Sequence, residues 1–462
     1  GAISIFLPAT IGLEAVTALI FVAGIYFGGM YGGAITSILV NIPGEASSVA
    51  TAIDGYPMAK KGRAGAALVI AAMASFVAGT LGVVLLSYLS PLLAKFALKF
   101  GPPEFFMIVL VGMVVLARLT DPSALRSYLL IAVGVLLSTI GMDAISGTMR
   151  LTFGTKALID GLDFIPIIMG LYGLSGILLA MDGTEDHPMK ANFSLKEMMP
   201  TKEEWRRSAG PTIRGGLLGF LMGLIPGPSA IISTFTSYKL EKSISRRKEE
   251  FGKGAVEGVA GPEAANNGAS SGALVPLLSL GIPFSPLAAI LLSAFLLQGI
   301  TPGPLLISDH PDLFWTLIAS MYIGNVMLFI LNAPLAGILA RVANIPSSIL
   351  MPLILVFCFI GAYAVNYSFF DLVVLVVFGV IGYLMRKAEL DLSPLIIGLV
   401  LGPVLESNFV QSMLIFKGDF TGFVKDPVAG TILAIGVAVL FFPLLRFIFR
   451  RIRGMKGVSS GF

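Results

Sequence analysis

The sequence predicts an all-α protein that crosses a membrane many times. Of its 462 residues, 56% are hydrophobic and 13% are charged, and the mean hydropathy is +0.91. These values lie far from those of soluble globular proteins. The apolar runs are long and continuous and lack the alternating ten-residue pattern of an outer-membrane barrel. Helices are therefore expected to form the spans.

The placement of basic residues predicts which loops face the cytoplasm. Lysine and arginine concentrate in the ranges 190–214, 239–253 and 446–456, and the positive-inside rule places such clusters on the cytoplasmic side. Because spans flank them, we do not interpret them as nucleic-acid patches. The single cysteine, Cys358, excludes an internal disulfide and has no metal-site spacing around it.

In the first half, a broken helix is the most unusual feature. A first span is expected at 13–29, and the stretch from Tyr31 to Pro57 then combines apolar residues with glycine, proline, hydroxyls, an amide and carboxylates. Proline and glycine predict a helix break from Asn41 to Gly44. Irregular backbone at membrane depth occurs where it is buried in protein or lines a wet cavity, so the break predicts a binding site. Further spans are expected at about 64–97, 103–119, 124–146 and 164–182.

The second half begins after a long hydrophilic segment, 183–211, and contains two more predicted breaks. The short apolar segments 215–224 and 229–238 are joined by Ile225-Pro226-Gly227-Pro228, which predicts one break. A stretch of small and polar residues leading to Gly281-Ile282-Pro283 predicts a second break, near 266–285. Further spans are expected at about 284–300, 313–343, 346–366, 368–386, 389–405 and 426–449.

The two halves share a sequence pattern that predicts an internal duplication. Matching residues keep their order: Ala74-Ser75 and Gly79 with Ala319-Ser320 and Gly324, Pro91 with Pro334, Pro103 with Pro346, Pro166 and Gly170 with Pro394 and Gly398, and Ile42-Pro43 with Ile282-Pro283. Duplicated halves, often inverted, are typical of secondary transporters, whose sites form where broken helices of the two halves meet near the midplane.

The duplication also predicts the domain organisation. We expect a first repeat at 1–182, a cytoplasmic linker at 183–211, a second repeat at 212–425, and a C-terminal helix with a basic cytoplasmic tail at 426–462. The segment Ala2-Ile3-Ser4 resembles the segment that starts at Ala230, which a span-like segment precedes. The natural chain is therefore expected to carry an additional N-terminal helix that ends in a Pro-Gly break.

Several long motifs resemble the large membrane subunit of tripartite tricarboxylate transporters. They are Tyr31-Gly32-Gly33, Asn41-Ile42-Pro43-Gly44-Glu45, Asp54-Gly55-Tyr56-Pro57, Pro262-Glu263-Ala264-Ala265-Asn266-Asn267, Leu280-Gly281-Ile282-Pro283 and Pro302-Gly303-Pro304. The resemblance covers essentially the whole chain. It implies a multi-pass importer of carboxylates, with citrate as the family's namesake, in the bacterial inner membrane. It also implies an elevator-like fold with a scaffold and a mobile transport domain.

The resemblance further implies partners and an energy source. A periplasmic solute-binding protein delivers the substrate in this family, and a small four-helix membrane subunit accompanies the large one. Uptake is secondary and driven by a gradient of Na⁺ or H⁺. No cofactor is expected beyond Na⁺ as a coupling ion, and the sequence does not define the oligomeric state.

An anionic substrate in the bilayer needs helix N-termini and neutral donors. The two predicted breaks supply the candidate substrate-binding residues: Asn41, Pro43, Gly44, Ser47, Ser48, Thr51, Asn266, Asn267, Ser270, Ser271, Gly281 and Pro283. The alternative is that these small residues and hydroxyls only allow close helix packing.

Three carboxylates near the breaks are candidates for cation coupling. Glu45, Asp54 and Glu263 would repel an anionic substrate, so their useful role is to hold Na⁺ or exchange a proton. The alternative is that each is a cap or an ion-pair partner, for example Asp54 with Lys60 or Arg63.

An intramembrane enzyme acting on a lipid-linked or anionic substrate is the main alternative function. The sequence lacks His-Glu-x-x-His, Gly-x-Ser-x-Gly and Gly-x-x-x-x-Gly-Lys-Ser/Thr motifs, and its two histidines, His187 and His310, lie outside the predicted spans. No catalytic residue is therefore assigned. A passive channel is less consistent with two duplicated breaks than gated alternating access.

Overall fold

The computed structural model describes residues 2–41, 44–120, 124–143, 147–182, 199–335, 347–438 and 440. Helices dominate these residues, which confirms the helical fold class. Five helical segments in the described chain are long and apolar enough to cross a membrane: Ala15–Leu39, Ala46–Ala97, Pro311–Asn332, Phe369–Lys387 and Ser393–Ile415. The protein is thus a multi-pass membrane protein.

The helices of the first half are α1 (Ala2–Phe6), α2 (Ala15–Val40), α3 (Val49–Met58), α4 (Ala64–Ala97), α5 (Pro102–Thr120), α6 (Ala124–Ser138), α7 (Phe164–Ile168) and α8 (Ser175–Asp182). Short 3₁₀ helices cover Leu7–Thr10, Ala46–Ser48 and Lys156–Leu158, and π-helical turns at Ala59–Arg63 and Met169–Leu174 join α3 to α4 and α7 to α8. Two short antiparallel strands, β1 (Gly141–Met142) and β2 (Met149–Arg150), pair with each other.

The helices of the second half are α9 (Lys202–Gly223), α10 (Ser229–Ile244), α11 (Glu257–Leu280), α12 (Pro286–Leu297), α13 (Leu306–Asp309), α14 (Pro311–Asn332), α15 (Ser347–Asn366), α16 (Phe369–Lys387), α17 (Ser393–Ile415), α18 (Gly422–Lys425) and α19 (Pro427–Ala438). A 3₁₀ turn at Lys248–Glu250 lies between α10 and α11.

Several predicted boundaries are wrong. The helix expected over 124–146 ends at Ser138, and glycines with positive φ, Gly141 and Gly147, accompany the strand pair that follows. The helix expected over 313–343 ends at Asn332, and the one expected over 389–405 continues to Ile415. The break expected near 266–285 begins only after Leu280, because α11 continues to that residue. The segment expected at 215–224 belongs to the longer α9, which starts at Lys202.

Two compact units make up the chain, and the first comprises residues 1–98 and 140–392. Helix α11 is buried along almost its whole length and packs against α9, α4, α10 and α3. Glycines make the approach of α9 very close: a Cβ added at Gly219 would lie 2.1 Å from the Ala265 carbonyl oxygen, and one added at Gly223 would lie 2.4 Å from that of Ala269. This contact explains why α11 stays helical despite Pro262 near its start, because a neighbouring helix stabilises it.

The second unit comprises residues 99–139 and 393–462. In it, α17 packs against α5 and α6. The crossing is close at two glycines: a Cβ at Gly134 would lie 2.1 Å from the Leu395 carbonyl oxygen, and one at Gly398 would lie 2.2 Å from that of Ile131. An apolar cluster in this unit contains the buried residues Met107, Phe423 and Ala429.

Candidate functional site

Two loops in the first unit begin with the same backbone conformation. Helix α2 ends at Val40, and Asn41 follows in the left-handed region with φ 58° and ψ 28°. Helix α11 ends at Leu280, and Gly281 follows with φ 72° and ψ 15°. Each of these two residues donates its N–H back into the last turn of its helix, to Thr36 in one case and to Leu277 and Pro276 in the other. The breaks predicted at these two points are confirmed, as is the one between Gly223 and Ser229.

The two loops also end alike. Glu45, with φ −147° and ψ 163°, is the N-cap of the 3₁₀ turn that leads into α3. Ser285, with φ −141° and ψ 157°, is the N-cap of α12 and accepts a hydrogen bond from the Ala288 N–H at 3.2 Å. In both loops an extended N-cap thus follows a left-handed residue by four positions, and a new helix starts there.

The first loop packs directly on the end of α2. A Cβ added at Gly44 would lie 2.8 Å from the Gly33 Cα, so glycine is required at this contact. Ser48 is buried, donates to the Glu45 carbonyl at 2.8 Å and accepts from Ser37 at 2.9 Å. Ser47 is also buried. Asn41 is exposed, and its side chain has no hydrogen bond to α11 among the described contacts; Pro43 lies outside the described residues.

Helices α2 and α11 cross through a reciprocal pair of hydrogen bonds. The Tyr26 hydroxyl donates to the Ser270 carbonyl at 3.0 Å, and the Asn266 amide donates to the Met30 carbonyl at 3.2 Å. The earlier residue of each helix contacts the later residue of the other, so the helices run antiparallel at this crossing. Tyr26 and Asn266 are 240 positions apart, as are Met30 and Ser270, and the same offset relates the two loops.

Two carboxylates lie beside this crossing, the buried Glu263 and the partly buried Glu45. The Asn266 amide nitrogen also donates to Glu45 Oε1 at 2.7 Å. Glu263, one helical turn before Asn266, accepts from Thr51 Oγ1 at 2.5 Å and from Ser75 Oγ at 3.4 Å. Among the described residues, no lysine or arginine pairs with Glu45 or Glu263. The site therefore holds acidic groups whose charge no basic side chain balances.

Most side-chain donors expected for an anionic substrate are already engaged. Ser270 and Ser271 donate to carbonyls four residues earlier in α11, at 2.9 and 3.2 Å. The Asn267 amide donates to the Glu263 carbonyl at 3.1 Å. The amide oxygens of Asn266 and Asn267 are buried without a partner. Both amide nitrogens face acceptors, so these oxygens are the free ends of the two side chains.

We call Glu45, Glu263, Asn266 and Asn267 the acceptor cluster. Carboxylate, carbonyl and amide oxygens are ligands for hard cations. No group of three or more His, Cys, Asp or Glu that would hold a metal ion occurs in the described part of the chain. Oxygen acceptors of this kind attract a proton or a cation, whereas a carboxylate offers only acceptors of its own.

Asp54 has a different environment from the other two carboxylates. It accepts from the Tyr238 hydroxyl at 2.9 Å and from the backbone N–H groups of Gly254 and Ala255 at 2.7 and 2.8 Å. It therefore joins α3 to α10 and to the start of α11. The alternative ion pair with Lys60 or Arg63 is wrong.

The two basic residues considered as partners of Asp54 have other contacts. Arg63 pairs with Glu204, and Lys60 lies over the Tyr56 ring, 4.5 Å from its centroid. The buried orientation of Asp54 towards the loop before α11 explains the difference.

A second polar contact between spans was not predicted from the sequence. The Tyr31 hydroxyl bonds to Asn325, whose amide nitrogen donates at 2.9 Å to both the Thr80 hydroxyl and the Phe76 carbonyl. A signal was present, because Asn325 is an amide inside an otherwise apolar span. Tyr26 and Ser75 were also missed, and only their contacts with α11 identify them.

Comparison with known proteins identifies relatives over most of the chain. The model of a family described as "Tripartite tricarboxylate transporter TctA family" matches residues 1–397. An Agrobacterium vitis protein described as "Uncharacterized 52.8 kDa protein in TAR-I ttuC' 3'region" is 45% identical over 443 residues, which cover 96% of this chain and 88% of that protein.

A second Agrobacterium vitis protein, "Uncharacterized protein in TAR-II ttuC' 3'region", is 45% identical over 227 residues. These residues cover 49% of this chain and 94% of that protein. No solved structure matches.

Proposed function

Because the chain belongs to the tripartite tricarboxylate transporter TctA family, we propose that it is the permease for tricarboxylates or related carboxylates, driven by a cation gradient. Family membership makes it a transport component that works with partner subunits. The acceptor cluster supports the coupling proposal: the buried Glu263 and the partly buried Glu45 have no basic partner among the described residues, and two free amide oxygens lie beside them.

Inverted repeats provide the architecture for this proposal. Where two antiparallel copies are related by a twofold axis, a contact from a residue of one copy to the other is matched by a contact between the two equivalent residues. The bonds from Tyr26 to Ser270 and from Asn266 to Met30 are matched in this way. A second crossing shares it: α4 and α14 meet at Thr80 and Asn325, which the sequence repeat makes equivalent.

Helix exchange between the halves also supports duplication. In one unit α17, the last span of the second half, packs on α5 and α6 of the first half. In the other unit α7 and α8, the end of the first half, pack on α16 and α15 of the second. Gly170 and Gly398 are matched in the repeat, and each closely approaches a carbonyl, of Leu375 and of Ile131 respectively.

We assign the coupling cation to the acceptor cluster. Removing a charge from water into the membrane is costly unless it is neutralised. One monovalent cation, a Na⁺ or a proton, at each of Glu263 and Glu45 would neutralise the pair, and Thr51 and Ser75 would orient the Glu263 carboxylate. Coupling follows if the site moves across the membrane only when its charge is balanced.

We assign the substrate carboxylates to the two loops. New helices start after Glu45 and Ser285, and the first backbone N–H groups of a helix are donors for anions. The Thr36 hydroxyl beside Gly44 is buried without a partner. Gly44, Ser47, Ser48 and Gly281 are the predicted residues that remain nearest this role, and Asn41 contributes its backbone conformation.

The remaining parts of the proposal come from the family resemblance. They are an elevator movement of a transport domain against a scaffold, delivery of substrate by a periplasmic solute-binding protein, a small four-helix membrane subunit, and location in the bacterial inner membrane.

Reconstitution tests the proposal. Liposomes containing the permease with its small subunit are supplied with the binding protein and a panel of labelled carboxylates, under an imposed Na⁺ gradient or an imposed pH gradient. Accumulation under one of the gradients, abolished by an ionophore that dissipates it, is expected. Accumulation that persists without either gradient, or chemical conversion of the substrate without translocation, would overturn it.

A further inference from the structure

A basic cleft between α9 and α10 is separate from the acceptor cluster. It has a volume of about 370 Å³. Four arginines and two glutamates line it: Arg206, Arg207, Arg214, Arg246, Glu241 and Glu257. Glu250 also accepts from Arg207 Nη2 at 2.6 Å, so these seven side chains carry a net charge of +1. Such an excess of guanidinium groups in a concave surface favours an anionic ligand.

Two of the arginines are held in place by carboxylates. Arg207 donates to Glu257 from Nε at 2.8 Å and from Nη2 at 2.7 Å, and the side chain of Arg207 is 18% exposed. Arg214 donates to the buried Glu241 in the same way, at 2.9 and 2.6 Å. The hydrogen bond to Glu257 raises the pKa of Arg207 further above its usual range, so this charge is permanent. Both guanidinium groups keep Nη1 uncommitted among the described contacts.

The other two arginines are not committed to folding contacts. Arg206 and Arg246 are exposed, and neither has a hydrogen bond or ion pair with any residue that the structure describes. Arg207 and Arg214, which carboxylates hold in place, form one side of an anion site. Arg206 and Arg246 can close over a ligand. Two free guanidinium groups beside two oriented ones can supply the bidentate bonds that phosphate accepts.

The surface beyond the cleft is apolar, which distinguishes the source of the phosphate. Ile213, Leu217 and Leu221 of α9 are 47%, 42% and 62% exposed. At about 100° per residue they share the face of Arg206. Leu221 lies roughly 22 Å further along the helix axis than Arg206, a length comparable to a lipid acyl chain. One helix face therefore presents a cation followed by an apolar stripe.

We propose that this cleft binds the phosphate group of an anionic phospholipid, with the acyl chains along the apolar stripe of α9. The basic clusters of the sequence predict that this end of α9 faces the cytoplasm, where anionic lipids attract basic residues. A soluble phosphate would share the guanidinium contacts but would not use the stripe.

Native mass spectrometry of the purified full chain, incubated with equal amounts of phosphatidylcholine and phosphatidylglycerol, tests the proposal. The wild-type protein is expected to retain phosphatidylglycerol selectively. The double variant Arg206→Gln/Arg246→Gln is expected to lower that selectivity by about 10- to 30-fold. Each basic residue near an anionic lipid surface adds a similar small amount to the binding free energy, and the variant removes two of them. Both side chains are exposed and unpaired, so the variant is expected to fold.

A matched control and a second ligand make the result decisive. Lys239→Gln/Lys242→Gln removes the same charge from exposed positions of α10 outside the cleft and should leave selectivity unchanged. Calorimetric titration with inorganic phosphate in detergent forms the second arm. Suppose that the arginine variant loses binding of inorganic phosphate but the wild-type protein shows no lipid selectivity. The cleft would then be an anion site, and the proposal that a phospholipid supplies the phosphate would be overturned. Equal lipid retention by the wild type and both variants would overturn the proposal.

Discussion

The loop from Asn41 to Glu45 and the loop from Gly281 to Ser285 have closely similar backbone conformations but different chemistry. Both start with a left-handed residue and end with an extended N-cap. The first loop ends in Glu45, whose carboxylate accepts from Asn266. The second ends in Ser285, whose hydroxyl only caps its own helix.

The two loops therefore share the function of their backbone and differ in the function of their side chains. The common conformation starts a helix at each break and supplies two sets of backbone donors, which the proposed substrate site would use. A carboxylate ends only the first of these two loops, so the proposed cation site is asymmetric.

Gly281→Ala is expected to destabilise the protein most. The residue has φ +72°, and an added Cβ would lie 2.4 Å from the Pro302 carbonyl oxygen. A left-handed alanine costs roughly 1–2 kcal/mol, and the backbone clash adds to this. Thermal unfolding of the purified protein should show a drop of several degrees, whereas the matched change Asn41→Ala should show a smaller drop. Equal shifts would contradict the added cost of the contact between the new Cβ and the Pro302 carbonyl oxygen.

Glu45→Gln should reduce gradient-driven uptake by about 10- to 100-fold, because hydrogen bonds to a charged group contribute roughly 1.5–3 kcal/mol. The equivalent change in the other loop, Ser285→Ala, removes a helix cap worth about 1 kcal/mol and should lower the unfolding temperature while uptake stays within about twofold. Initial rates in reconstituted liposomes, corrected for inserted protein, measure both. Equal losses of uptake would contradict the asymmetry.

Asn266→Ala and Tyr26→Phe compare the two halves of the reciprocal crossing. Each removes one bond to a carbonyl, of Met30 or of Ser270, and about 1 kcal/mol of stability is expected from each. Only Asn266→Ala also leaves Glu45 without its amide partner. Uptake should therefore fall about tenfold in Asn266→Ala and remain near the wild-type level in Tyr26→Phe. An uptake loss of the same size in both would assign both residues to structure alone.

Asn41→Gly should have the smallest effect. Glycine adopts the left-handed conformation without strain, and the Asn41 side chain is exposed. Stability should change by less than about 1 kcal/mol, and uptake should be retained. Loss of uptake in a folded variant would return the Asn41 side chain to the substrate site.

Local chemistry predicted the breaks but not the course of every helix. Pro-Gly combinations after Val40, Gly223 and Leu280 correctly marked three helix ends. The small and polar residues from position 266 onwards did not break the helix before Leu280, because the glycines of α9 pack against the α11 backbone there. Tertiary packing of this kind is not visible in a local window.

The sequence predicted which residues belong to the candidate site better than it predicted what each residue does there. The sequence identified Glu45, Glu263, Asn266 and Asn267 as polar groups in apolar surroundings. It did not show that the serines of α11 bond to their own helix, or that Asp54 accepts backbone N–H groups before α11. Those assignments depend on side-chain direction and on contacts across about 200 residues of sequence, which composition and spacing do not encode.

The assignment of the coupling cation to the acceptor cluster can be tested in liposomes carrying the Glu263→Gln variant and its partner subunits. Substrate exchange is compared with gradient-driven accumulation. If the acceptor cluster holds the coupling cation, the variant should exchange internal for external carboxylate at a rate near that of the wild type but fail to accumulate it under a Na⁺ or H⁺ gradient. Accumulation at the wild-type level by Glu263→Gln would contradict the assignment of the coupling site to this cluster.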